Sequence, residues 1–129
     1  MSDNGSAPKK IMVIDDEGDL LKFTRVRLEA NGYLVETLES GNRAVEYVER
    51  DKPDLILMDI RMPGKSGYEV CRELKACGAT SAIPIILFTA QYMDQECVEC
   101  EAKDAGAADC MPKPFDAPTL LAKIKALLK

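Results

Sequence analysis

The sequence predicts a three-layer α/β domain in which helices cover both faces of a parallel sheet. Short apolar runs alternate along the chain with amphipathic stretches of helical periodicity. The links between the runs carry no hairpin signal. Strands that are joined through helices run parallel with right-handed crossovers. We therefore expect one doubly wound domain.

Five runs are predicted strands. Four are almost continuously apolar, as expected for strands buried on both faces: Ile11–Ile14, Asp54–Met58, Ile83–Phe88 and Ala107–Met111. The fifth, Tyr33–Leu38, alternates more strongly and suits a strand near an edge. Pro112 cannot donate a hydrogen bond to a neighbouring strand, so the last strand is also predicted at an edge.

Helices are predicted between the strands and after the last one. The first presents one apolar stripe and ends at Asn31-Gly32. Ser40 is the candidate N-cap of the second helix, and Ser66 precedes the third. The fourth, roughly Asp94 to Lys103, has little apolar content and is the weakest prediction. The stripes of the other four are Leu20, Leu21, Thr24 and Leu28; Ala44, Val45 and Val48; Val70, Cys71 and Leu74; and Leu120, Leu121, Ile124, Leu127 and Leu128.

Composition excludes several classes of function. The 129 residues suffice for one domain, and the net charge of −5 argues against direct binding of nucleic acid. No apolar run approaches the roughly 20 residues that cross a membrane. The start, MSDNGSAPKK, lacks the apolar centre of a signal peptide. We therefore expect a cytoplasmic protein.

The five cysteines do not indicate a disulfide framework, because their number is odd and their spacing irregular. Cys97 and Cys100 form a C-x-x-C pair, which could indicate redox chemistry or half of a zinc site. The chain has no histidine, the pair lies in an acidic stretch, and no second pair of metal ligands follows. Two small residues on a helix are the favoured interpretation.

Polar side chains follow four of the predicted strands. Asp15-Asp16-Glu17 follows the first, Asp59 the third, Thr89 the fourth and Lys113 the fifth. In open parallel sheets, ligands bind outside the carboxyl ends of the strands. These side chains are therefore expected to meet at one rim of the sheet.

Carboxylates that meet in one small site repel each other unless a cation lies among them. Hard oxygen ligands favour Mg²⁺. The amine of Lys113 and the hydroxyl of Thr89 could hold an anion beside the metal. Such a site suits phosphoryl transfer, and a carboxylate can itself be the nucleophile.

Each of these residues also has an ordinary structural interpretation. Asp59 alone could be a turn residue, Thr89 a β-branched strand end, and Lys113 a solvated charge. The Asp15-Asp16 pair could cap the following helix. Their joint occurrence favours the functional interpretation.

The chain resembles the receiver domains of two-component response regulators from about Lys9 to Leu128. The matching stretches are IMVIDDE, DLILMDIRMPGKSGYEV, PIILFTA and AGAADCMPKPF. The resemblance implies a flavodoxin-like, five-stranded sheet in the order 2-1-3-4-5. We expect a flexible tail over residues 1–8 and the receiver domain over residues 9–129.

The resemblance also implies the roles of individual residues. Asp59 resembles the phosphoacceptor, Asp16 a direct metal ligand and Asp15 its water-mediated partner. The backbone carbonyl of Arg61 would complete the protein ligands of Mg²⁺, for which Mn²⁺ could substitute.

Further positions match residues that respond to the phosphoryl group. Thr89 resembles the switch hydroxyl, Lys113 the cation that contacts the phosphoryl group, and Pro114 the proline that follows a cis peptide bond. Cys110 stands where many receivers have an aromatic residue, which leaves the output geometry open. Arg61 and Gln91 flank the expected entrance, where Arg61 could shield the phosphoryl group or form a salt bridge.

A receiver is a phosphoacceptor switch that assists its own phosphorylation and dephosphorylation, rather than an enzyme acting on a separate substrate. The expected donor is a sensor histidine kinase or a histidine phosphotransfer protein. The downstream effector is unknown, and a monomer or a phosphorylation-dependent dimer is expected. A stand-alone regulator and a receiver of a longer protein both remain open.

Three alternatives remain. A degenerate receiver would act as a phosphorylation-independent interaction module. An aspartyl-phosphate phosphatase would have a second aspartate at position 61, where this chain has arginine. A flavin protein would have a Ser/Thr-rich phosphate loop in place of Asp15-Asp16-Glu17.

Overall fold

The computed structural model describes residues 8–62, 64–90, 101–113 and 115–128. Strands and helices alternate, as the sequence predicts. The strands are β1 (Lys10–Ile14), β2 (Leu34–Leu38), β3 (Leu55–Asp59), β4 (Ile85–Ala90) and β5 (Asp109–Lys113). The helices are α1 (Gly18–Ala30), α2 (Ala44–Asp51), α3 (Gly67–Ala76), α4 (helical at residues 101–105) and α5 (Ala117–Leu127).

All strand pairs are parallel, and the strand order is β2-β1-β3-β4-β5. This order confirms the predicted flavodoxin-like fold. It places β2 and β5 at the two edges, as the alternation in β2 and Pro112 in β5 predict. The last three strands end one or two residues later than predicted, so that Asp59, Thr89 and Lys113 lie within the strands.

The sheet separates two apolar layers, because successive side chains along each strand point to opposite faces. Helices α2, α3 and α4 cover one face, and α1 and α5 cover the other. The strand residues facing the first layer include Met12, Ile14, Ile56, Met58, Ile85 and Leu87. Those facing the second include Ile11, Val13, Leu55, Leu57, Ile86 and Phe88. Burial on both sides explains the continuous apolar runs.

The predicted helix faces point into these layers. Leu21, Thr24 and Leu28 of α1 are buried, as are Leu120 and Ile124 of α5. On α3 the buried residues include Val70, Cys71 and Leu74. Burial raises the pKa of the Cys71 thiol to about 11, so the thiol stays protonated and neutral. Cys71 therefore packs as a small apolar residue.

The predicted helix ends are partly confirmed. Ser66 caps α3 in a reciprocal capping box with Glu69. The prediction for Ser40 is wrong: a turn from Gly41 to Ala44 intervenes, and Arg43 is the N-cap of α2 without a capping side chain. Capping of α1 by the aspartate pair is also wrong, since Glu17 is its N-cap residue.

Several predictions fall outside the described residues. These concern most of the tail at residues 1–8, Gln91, most of the fourth predicted helix with Cys97 and Cys100, and Pro114. The part of α4 that is described buries Ala102 and Ala105. Cys71 and Cys77 are not in disulfide bonds. None of the described helices has the length and apolar character needed to cross a bilayer.

Candidate phosphoryl-transfer site

Asp59 is the last residue of β3 and is almost completely buried, with 7% of its surface exposed. Its Oδ2 accepts a hydrogen bond from Lys113 Nζ at 3.1 Å, and its Oδ1 accepts one from the backbone N–H of Arg61 at 3.3 Å. Burial, followed by the negative charge of Asp15, raises the pKa of this carboxyl above its ordinary value. Lys113 and the Arg61 N–H oppose this rise without cancelling it. The carboxylate would therefore gain from further positive charge.

Asp15 directly follows β1 and is fully buried. Its Oδ1 accepts a hydrogen bond from the backbone N–H of Glu17 at 3.0 Å. Its Oδ2 makes no well-directed hydrogen bond to any residue that the structure describes, although it lies 2.8 Å from Lys113 Nζ. The ion pair is short enough to hold this oxygen electrostatically. Asp15 thus contacts Lys113, the same side chain that contacts Asp59.

Lys113, the last residue of β5, joins the elements of the site. Its ammonium lies between three carboxylates: Asp15 at 2.8 Å, Glu17 at 3.0 Å and Asp59 at 3.1 Å. Burial alone would lower the pKa of Lys113, but the carboxylates outweigh it and raise the pKa. The lysine therefore stays charged.

Glu17, which the sequence places at this rim without a role of its own, is also a member of this group. The carboxylates of Asp15, Glu17 and Asp59 each place an oxygen within 4.8 Å of the others. Asp16 is exposed and is not part of that group among the described residues. The available signal was the third acidic residue in Asp15-Asp16-Glu17.

Thr89 lies in β4, one residue past Phe88, which pairs with Asp59 in the sheet register. It is 1% exposed, and its hydroxyl has no hydrogen-bond partner among the described residues. A buried hydroxyl without a partner is costly. Such a group is available to an incoming acceptor.

Gly67 allows the start of α3 to approach the backbone of Asp59 closely. A Cβ at this position would lie 2.5 Å from the carbonyl oxygen of Asp59 and 2.8 Å from the Cα of Ile60. The Gly67 N–H donates to the Ile60 carbonyl at 2.8 Å. The first turn of α3 therefore lies directly against the backbone that carries Asp59.

The other assigned positions are less closely tied to this group. Arg61 is exposed, and its backbone N–H contacts Asp59. Cys110 is half-buried beside α4 and lines a surface cavity of about 210 Å³ with Lys103. Its effect on the output geometry stays a prediction.

The donor set fits a hard divalent cation. It consists of carboxylate oxygens that are close enough to share one ion. A cation would also offset the repulsion between Asp15 and Asp59, which contributes to the raised pKa of Asp59. The ammonium of Lys113 and the buried hydroxyl of Thr89 add donors for an anion.

Comparisons with known proteins indicate the family and the fold of this chain. The family model described as the response regulator receiver domain matches residues 11–125. Response regulator MprA from Mycolicibacterium vanbaalenii is 39% identical over 122 residues, which cover 95% of this chain and 51% of that protein. The phosphate regulon transcriptional regulatory protein PhoB of Rhizobium meliloti is 40% identical over 120 residues, covering 93% and 52%. The chain spans about half the length of these curated relatives.

Among solved structures, the BeF3-activated N-terminal receiver domain of Klebsiella pneumoniae RstA superposes with a TM-score of 0.83. It is 31% identical, and the match covers 94% of this chain and 99% of that one.

Proposed function

Since this chain belongs to the response regulator receiver domain family, we propose that it accepts a phosphoryl group on Asp59 from a phosphohistidine donor. The contact of Lys113 Nζ with both Asp59 and Asp15 is the observation that carries the proposal. It brings a nucleophilic carboxylate, a second carboxylate and a cation to one rim of the sheet. The BeF3-activated form of the related RstA domain supports the same use of the site.

The divalent cation, Mg²⁺ or Mn²⁺ in its place, would be held by Asp16, Asp59 and the Arg61 carbonyl, with Asp15 acting through water. When bound, it would neutralise the carboxylates and the developing charge on the phosphoryl oxygens.

The covalent step requires Asp59 as the nucleophile. Its carboxylate oxygen forms a bond to phosphorus while the bond between phosphorus and the donor histidine nitrogen breaks. The nitrogen keeps the electron pair and is later protonated from solvent. Lys113 then contacts a phosphoryl oxygen, and the Thr89 hydroxyl donates to another.

These new bonds would favour one pre-existing arrangement of the β4–α4 region and β5 over another. The proposed partners are a sensor histidine kinase or histidine phosphotransfer protein and a downstream effector. The cytoplasm is the proposed location, and a monomer or phosphorylation-dependent dimer is the proposed assembly. The proposed domain extends over residues 9–129, after a tail at residues 1–8.

Asp59→Asn should abolish phosphorylation. With a small phosphodonor and Mg²⁺, intact mass should show one added phosphoryl group on the wild-type protein and none on the variant. Chelation of the cation should also prevent adduct formation. Asp109→Asn is the matched control, because Asp109 pairs with Lys123 at 2.8 Å away from these carboxylates. A persistent adduct on Asp59→Asn would refute the assignment, whereas no wild-type adduct would favour a degenerate receiver.

Thr89→Val should make the protein more stable but weaken its conformational response to phosphorylation. Loss of a buried hydroxyl that has no partner among the described residues should raise the free energy of unfolding by about 1 kcal/mol, measured by urea denaturation. The variant should still form the adduct, but the amide chemical shifts of β4 and β5 should change less on phosphorylation. Thr89→Ser keeps the hydroxyl and should retain the full shift changes. A destabilised Thr89→Val protein would show that the hydroxyl is bonded after all.

A further inference from the structure

Glu17 occupies the N-cap position of α1, but its side chain makes no capping hydrogen bond. Its Oε1 instead accepts a hydrogen bond from Lys113 Nζ at 3.0 Å, which links the start of α1 to the end of β5. Its backbone N–H donates to Asp15 Oδ1. One residue therefore orients a carboxylate of the site through its backbone and the ammonium through its side chain.

Two of the three carboxylates that hold Lys113 would change during the proposed reaction. Asp59 would lose its carboxylate charge when it is phosphorylated, and Asp15 would face the divalent cation. The cation would also repel the ammonium at short range. Lysine is a flexible side chain with considerable rotamer entropy, so with the cation bound and before a phosphoryl group is in place it would turn towards solvent if nothing else held it.

Glu17 is the remaining carboxylate. Its side chain is 63% exposed, whereas those of Asp15 and Asp59 are 1% and 10% exposed. It therefore lies at the solvent edge of the group, where its side chain contacts both water and Lys113. This position suits a contact between Glu17 and Lys113 that persists while the buried carboxylates of Asp15 and Asp59 lose their pairs with the lysine.

We propose that Glu17 is a positioning residue that keeps the Lys113 ammonium at the site when a divalent cation replaces its pairs with Asp15 and Asp59, so that the ammonium can meet the incoming phosphoryl group. The inference rests on the proposed phosphorylation of Asp59. Glu17 acts through Lys113 and leaves the bond-forming step to Asp59.

A direct role of Glu17 in holding the cation is the competing explanation, because its carboxylate lies within 4.8 Å of the other two. The two roles differ in their dependence on Lys113. A positioning residue loses its effect when the lysine is removed, whereas a metal ligand keeps it.

The first test compares Glu17→Gln with Glu46→Gln. Glu46 is a matched control on α2, 65% exposed and paired with Arg43. With a small phosphodonor at saturating Mg²⁺ and low salt, Glu17→Gln should form the adduct about two- to fivefold more slowly, as expected for one exposed ion pair. High salt should remove the difference, and Glu46→Gln should match the wild-type rate.

The same substitution is then made in the Lys113→Met background. There, Glu17→Gln should cause no further decrease in rate, and calorimetry should show no loss of Mg²⁺ affinity in either background. An equal decrease in both backgrounds, together with weaker Mg²⁺ binding, would overturn the inference in favour of a metal ligand. An unchanged rate in the single variant would overturn it as well.

A second readout does not depend on phosphorylation. In ¹⁵N-lysine NMR spectra, the Lys113 ammonium signal is identified by its absence from Lys113→Met. The wild-type signal should survive saturation with Mg²⁺, whereas the Glu17→Gln signal should be visible without Mg²⁺ and be lost with it. A signal that persists in Glu17→Gln with Mg²⁺ would refute the positioning role. If the wild-type protein binds Mg²⁺ and retains this signal but forms no adduct, the proposed function fails while the positioning role stands.

Discussion

Lys113→Met is expected to lower the free energy of unfolding by about 3 kcal/mol at pH 7 without divalent cation. The substitution leaves two almost fully buried carboxylates, Asp15 and Asp59, without the ammonium that lies within about 3 Å of both. The methionine preserves most of the apolar length of the side chain. Urea denaturation measures the loss.

The loss should depend on pH. The pKa of Asp59 is already raised by burial and by Asp15, and removal of the ammonium takes away an effect that opposes this rise. A carboxyl whose folded pKa exceeds its unfolded pKa destabilises the fold as pH rises above the unfolded value, about 4. The deficit of Lys113→Met should therefore be greatest near neutral pH and become smaller towards pH 4.

Mg²⁺ should reverse much of the loss, because a cation that binds the folded state offsets the unpaired carboxylates. The shift in melting temperature caused by Mg²⁺ should therefore be larger for Lys113→Met than for the wild-type protein. Lys123→Met is the matched control: its pair with Asp109 is half-exposed and should contribute less than about 1 kcal/mol. Equal losses in the two variants would contradict the importance of the buried ion pairs.

Gly67→Ala is expected to destabilise the protein by about 3 kcal/mol. The added Cβ would meet the carbonyl oxygen of Asp59 at 2.5 Å, its carbonyl carbon at 3.1 Å and the Cα of Ile60 at 2.8 Å. These are backbone atoms, so no flexible side chain can turn away to make room. The backbone of β3 and the start of α3 must separate.

The matched control is Gly18→Ala, because Gly18 is also the first residue of a helix and a Cβ there meets nothing within 4 Å. It should be neutral or stabilising by up to about 1 kcal/mol, as alanine favours a helix more than glycine does. Urea denaturation compares the two variants. Phosphorylation of Gly67→Ala should also be slower, because the shift moves Asp59 relative to Lys113. A Gly67→Ala protein as stable as Gly18→Ala would show that the close approach is not maintained in solution.

The agreement between predicted and observed strands has a physical basis. A strand that is buried on both faces must be apolar along its length, so its identity is visible without any partner. Pro112 similarly indicates an edge strand, because its backbone nitrogen has no hydrogen to donate to a neighbouring strand. Ser66 marks a helix start because capping depends on residues within one turn.

The errors occurred where local signals compete with nearby turns. Ser40 has a capping side chain, but the chain makes another turn before α2 begins at Ala44. The acidic run after β1 contains three carboxylates, and spacing alone does not tell which of them turn towards β3 and β5. The structure places Asp15 and Glu17 against Lys113, and the role of the exposed Asp16 as a metal ligand stays a prediction.

The sequence by itself determined the order of strands and helices, the two apolar layers, and the rim at which Asp59, Thr89 and Lys113 lie. These features follow from short-range patterns of polarity and from the rule that parallel strands end on the same side. Only the tertiary structure decided that Glu17 pairs with Lys113, that the buried Thr89 hydroxyl has no partner in the described part of the chain, and that Gly67 lies against Asp59. Those facts depend on distances between residues far apart in the chain, which only the packing of the helices on the sheet sets.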